Sequence, residues 1–293
     1  MKRILISSIS MLILSGCNRL SSIPYSPEIN PARWLEMQPS LELSTGKNSF
    51  YLMQPSSTAF VYLLGLITIL AGIHILRIRK NEQSRKWWGV ALLFWGLGAL
   101  LAGTSYQAFS YEIKCIGRAV CSWTSYWEVF YLLLSAASVD AMVIAGAYSG
   151  FEGKARKNLI LYAVLNLMVY TLLLTVGVLT LQKFLISFEL LLIVAAPGIV
   201  TLLFSSIIHY KKRKSKKDLS LIITWVWLGI TMAAYFLYLL SGLTEKLWEN
   251  GFWFSENDVL HIGLIIWMVY IGFFMARRLR DRNNEVALNK IDF

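Results

Sequence analysis

The chain has 293 residues, of which 56% are hydrophobic and only 15% charged, with a mean hydropathy of +0.55. A water-soluble domain needs more charge to cover its surface, so the composition excludes that class and points to a membrane protein. The formal charge of +11 does not indicate nucleic acid, because the basic residues sit in short segments between apolar runs rather than on a polar module.

The chain opens with Lys2 and Arg3, an apolar stretch from Ile4 to Leu14, and then Leu14-Ser15-Gly16-Cys17. A charged start, a short apolar core and small residues before a cleavage point describe a secretory signal over residues 1–16. Its ending resembles the bacterial lipobox, which implies lipidation of Cys17 and places the chain in a bacterial cytoplasmic membrane. An uncleaved signal anchor is the other reading. Residues 17–57 hold five of the six prolines and read as an external polar segment, docked on the remainder through Trp34 and Leu35.

A helix crossing ~30 Å of hydrocarbon needs about 20 apolar residues. Seven stretches meet that length, near 58–78, 87–107, 126–149, 158–180, 185–208, 220–241 and 258–276. The expected fold is an all-α polytopic membrane bundle of seven transmembrane helices over 58–276, followed by a basic tail, 277–293. Nineteen Lys and Arg fall on one side of these spans and seven on the other, the signal aside. The richer side is cytoplasmic by the positive-inside rule, which puts the N-terminus outside and the C-terminus inside. Small residues mark close helix packing: Gly96, Gly98, Ala102 and Gly103 in the second span, and Ala137, Ala141 and Ala145 in the third. Pro197-Gly198 should kink the fifth.

With Cys17 assigned to lipid, Cys115 and Cys121 remain. Both fall in the connection between the second and third spans, on the oxidising side, and are expected to form a disulfide.

Soluble catalytic motifs are absent, so any chemistry must come from polar residues within the bundle. Such residues are costly in lipid and draw functional attention. An outer layer holds Ser105, Tyr106, Gln107 and Glu112 near the second span, Glu128 at the start of the third, Glu189 at the start of the fifth, and Asp258 and His261 at the start of the seventh. Asp258 and His261 are three residues apart and share a helical face. A carboxylate beside an imidazole orients it as a ligand or a base. The catalytic candidates are therefore Glu128, Asp258, His261 and Ser105, with a divalent metal held by His261, Asp258 and Glu128. Gln107, Tyr106, Glu112 and Glu189 are candidate ligand contacts. The alternatives are structural: Ser255-Glu256-Asn257-Asp258 also reads as a capping box, and Glu128 and Glu189 lie within reach of interfacial water. A deeper pair, Asp140 and Asn166, falls at similar depth in antiparallel neighbours and suits an interhelical hydrogen bond.

Seven helices, a carboxylate in the third and a histidine near the start of the last resemble the alkaline ceramidase and adiponectin-receptor superfamily. That resemblance implies an intramembrane zinc amidase. The family's last helix carries His-x-x-x-His; here Asn257 stands at the first position and His261 at the second. Its second helix carries Ser-x-x-x-His; here Ser105 is followed four residues later by Phe109. Two functions stand open: a membrane protein that binds a lipid or small ligand at an outward-facing polar pocket, or an intramembrane, metal-dependent hydrolase of a lipid amide or ester. A transporter is disfavoured, since no pair of broken helices recurs in matching halves.

Overall fold

A computed structural model describes residues 19–46 and 48–283. The expected signal over residues 1–16, the lipidation candidate Cys17 and residues 284–293 of the tail lie outside the described residues. The protein is mostly helical, and seven of its helices are long and apolar enough to cross a membrane.

The segment before the first long helix has structure of its own. A short helix α1 (Pro31–Glu36) starts where the Asn30 side chain accepts a hydrogen bond from Arg33 N–H, a standard cap for otherwise unpaired donors. It is followed by an antiparallel hairpin, β1 (Ser40–Thr45) with β2 (Asn48–Met53). The long helices are α2 (Pro55–Arg77), α3 (Gln83–Ala108), α5 (Tyr126–Gly150), α6 (Gly153–Thr180), α7 (Phe188–Arg213), α8 (Lys216–Ser241) and α10 (Glu256–Arg278). Two short helices, α4 (Ser110–Lys114) and α9 (Leu243–Glu249), lie in connections. Several long helices run past the apolar stretch into Lys- and Arg-rich sequence. Helical hydrogen bonding carries on beyond the hydrocarbon, and Lys and Arg are good helix formers.

Six long helices close a ring: α2 packs on α3, α3 on α5, α5 on α7, α7 on α8, α8 on α10, and α10 back on α2. The remaining long helix, α6, lies outside the ring against α5. Asn166 Nδ2 donates to both Asp140 carboxylate oxygens at 3.0 and 3.3 Å, joining α6 to α5. The backbones of α2 and α3 approach closely, because glycines face each other across the contact. A Cβ on Gly96 would sit 2.9 Å from Gly65 O, and one on Gly72 would sit 3.0 Å from Gly89 O.

The ring is plugged at one end and open at the other. Toward the Lys- and Arg-rich end the axis is filled by Trp88, Trp225, Trp267 and Met268. Trp267 Nε1 donates to Thr224 O at 2.8 Å, so this buried indole also ties α10 to α8. At that end Asp281 accepts hydrogen bonds from Gln83 N–H and Ser84 N–H. The residues after α10 thereby cap the start of α3. Outward faces carry large apolar side chains such as Leu70, Leu97, Phe130, Met168, Leu172, Phe204 and Leu240. A soluble protein would bury such a surface, and a hydrocarbon surround accommodates it.

Candidate functional site

At the end opposite the Trp-filled plug lies a cavity of about 1090 Å³. Its walls come from α2, α3, α5, α7, α8 and α10, and the N-terminal segment covers it through Trp34, Gln38 and Gln54.

The cover is fastened to the α4 region. Cys115 and Cys121 form the disulfide, with S–S 2.02 Å. The loop it closes is paired to the N-terminal segment like a strand: Tyr25 N–H donates to Cys121 O at 3.0 Å, Cys121 N–H to Ile29 O at 2.8 Å, and Trp123 N–H to Ile23 O at 2.8 Å. Tyr51 N–H of the hairpin donates to the Glu112 carboxylate at 2.6 Å. Trp34 is buried beside both cysteines, and Leu35 packs against the same cluster.

Beneath the cover is a buried ion pair. Lys114 Nζ lies 2.6 Å from Glu128 Oε1, and the two side chains are 3% and 2% exposed. Ser105 Oγ donates to the same carboxylate oxygen at 2.7 Å and lies 2.6 Å from Ser125 Oγ. The ammonium also stands 4.8 Å from the centre of the Tyr106 ring and 5.9 Å from that of Trp34. Charge taken out of water is tolerable only when paired and hydrogen-bonded in this manner. The disulfide loop holds Lys114 in place, since Ser122 N–H donates to Lys114 O at 2.9 Å. Tyr25, also on the cavity wall, has its phenol held above the usual value by burial and, secondarily, by the Glu128 carboxylate. It therefore stays protonated.

Ser105, Tyr106 and Gln107 all lie on a π-helical turn, Gly103–Ala108, that ends α3. Phe109 N–H reaches back to Thr104 O at 3.0 Å, the wide-turn bond typical of functional bulges. Gly103 is required here, because a Cβ would collide with the Val61 side chain.

Asp258 is engaged elsewhere. Its carboxylate accepts from Ser57 Oγ at 3.0 Å, Ser56 Oγ at 3.1 Å and Ser255 N–H at 2.6 Å. It completes the capping box of α10 and ties that helix to the start of α2. Among the described residues, no three or more His, Cys, Asp or Glu side chains are grouped to hold a metal. The Glu128, Asp258 and His261 set is thus not gathered as a ligand cluster.

Four residues on the cavity wall carry a buried polar atom with no hydrogen-bond partner among the described residues: Trp34 Nε1 and Gln54 Oε1 in the cover, and Gln107 Oε1 and His261 Nδ1 beneath it. Gln107 and His261 are each 6% exposed, and neither Gln107 Oε1 nor His261 Nδ1 makes a hydrogen bond. Glu189 also borders the cavity and is exposed. Glu112 instead braces the hairpin. Sequence reasoning missed Lys114 as the partner of Glu128. The available signal was a lysine on the cation-poor side, next to a cysteine and in the connection that leads to a glutamate at the start of a span.

No curated protein matches the chain. Residues 57–281 match the model of a family described as Family of unknown function (DUF6962). The match runs from the first turn of α2 to the residue that caps α3, and the chain belongs to that family.

Proposed function

We propose that this is a ligand-binding protein of a bacterial cytoplasmic membrane, with its disulfide end outside, that holds a small or amphiphilic molecule in the covered cavity. The observation that carries this reading is the pair of buried, unpartnered polar atoms, Gln107 Oε1 and His261 Nδ1, on the cavity wall. An unsatisfied buried polar group costs about 1–3 kcal/mol, and native proteins rarely keep two at one site without use. A ligand that bonds both removes the cost. Ligand pockets are mostly apolar and aromatic with a few placed polar groups, and this one has that make-up.

The orientation rests on the Lys and Arg excess at the opposite end and on the disulfide, which belongs on an oxidising side. A hydrolase built on Glu128, Asp258 and His261 draws little support from the placements, because both carboxylates are committed to other partners.

Native mass spectrometry of the full chain, released from its own membrane, tests the binding reading. The wild type should carry a small-molecule adduct that Ala102→Trp and Met232→Trp, which narrow the cavity, lack. Identical spectra for all three proteins contradict it.

A further inference from the structure

Resting on the binding reading, we infer that the ligand is an organic cation that keeps an N–H, such as a protonated amine, drawn by unpaired carboxylates and aromatic rings. Charge at the cavity is the first observation. Its lining includes five glutamates but only two cations, Arg33 and Lys114. Each cation is already paired with one of those glutamates, Arg33 with Glu36 at 3.2 Å and Lys114 with Glu128 at 2.6 Å. Glu189, Glu245 and Glu249 have no ion-pair partner among the described residues. A chain of net charge +11 thus keeps a net-negative cavity, and carboxylates around a partly closed cleft focus a field that attracts cations.

The second observation is the wall itself. Tyr131, Tyr235, Trp248 and Trp253 border the same space, and aromatic faces attract ammonium groups, more so where water is excluded. The protein displays that chemistry with its own side chain, since the Lys114 ammonium rests between Glu128 and the Tyr106 ring. The third observation is Gln107 Oε1, a buried acceptor with no donor. An N–H on the ligand supplies one, whereas an anion would add a second acceptor. The neutralised Lys114 offers an anion no free positive charge.

Three dansyl probes with one linker and different heads test the inference: a protonated dimethylamine, its uncharged isopropyl isostere and a sulfonate. Fluorescence titration uses the full chain in dodecyl maltoside. The cationic probe should bind at least about tenfold tighter than the neutral one, the sulfonate weakest of all. In Glu189→Gln/Glu245→Gln/Glu249→Gln, three exposed sites changed isosterically, the preference should shrink to within about twofold. Equal affinity for the charged and neutral heads, a preference for sulfonate, or full preference in the triple variant overturns the cation assignment. If Ala102→Trp still abolishes that binding, the cavity reading survives alone. Binding of all three probes that Ala102→Trp leaves untouched, or no binding of any, removes both.

Discussion

Lys114 Nζ and Glu128 Oε1 lie 2.6 Å apart, with neither side chain more than 3% exposed. The contact joins the disulfide-clamped end of α4 to the first turn of α5 and forms part of the cavity wall. Removing one partner leaves a buried charge alone, which costs about 3–5 kcal/mol. Lys114→Met should therefore destabilise the protein by that amount in detergent unfolding. The double variant Lys114→Met/Glu128→Gln should recover much of the loss, since it removes the charge and keeps an acceptor for Ser105. Equal loss in the single and double variants would show that the pair is not coupled.

Gln107 presents the opposite case. Gln107→Leu removes an acceptor that has no internal partner, so the ligand-free protein should gain about 1 kcal/mol. The same change should weaken binding. A rise in melting temperature together with loss of the native adduct marks a residue kept for its ligand. A fall in melting temperature would mean that Gln107 serves the fold.

The disulfide closes a short loop and by chain entropy contributes about 2 kcal/mol. Its position matters more than its energy, since Cys121 is hydrogen-bonded to both Tyr25 and Ile29. Cys115→Ser/Cys121→Ser should speed hydrogen exchange over residues 23–54 and leave α7 and α8 unchanged. Uniform loosening of the whole bundle would argue against a local clamp on the cover.

The glycine contact between α2 and α3 permits a sharp test. The Cβ of Gly96→Val would approach Gly65 O to 2.9 Å and Ile69 Cγ1 to 2.7 Å. Overpacking of that kind costs about 1–3 kcal/mol. Gly229, with nothing near its Cβ position, serves as the control, and Gly229→Ala should not lower the melting temperature.

The seven long helices were legible because a membrane span announces itself by length and apolarity, and the structure moves their ends by only a few residues. Cys115 and Cys121 were legible as a disulfide because they lie six residues apart in one connection. Asp140 and Asn166 meet because depth along antiparallel helices follows from a fixed rise per residue. The hairpin over 40–53 escaped notice: two six-residue strands in a proline-rich segment give little periodic signal beside seven spans. Lys114 escaped for another reason. Its pairing with Glu128 depends on how α4 and the disulfide loop turn the chain back over the bundle, and no helical periodicity encodes that turn. Asp258 satisfied both a capping and a ligand pattern in sequence, and only its three hydrogen-bond donors, Ser56, Ser57 and the Ser255 N–H, separate the two.

The most direct test of the central claim is an experimental density map of the full chain, purified from its own membrane and placed in a nanodisc. The account predicts non-protein density in the cavity between α3, α5, α8 and α10, within hydrogen-bonding distance of Gln107 and His261. A cavity holding only water, or one closed by side chains from α7 and α8 with Gln107 and His261 bonded to protein, would contradict it.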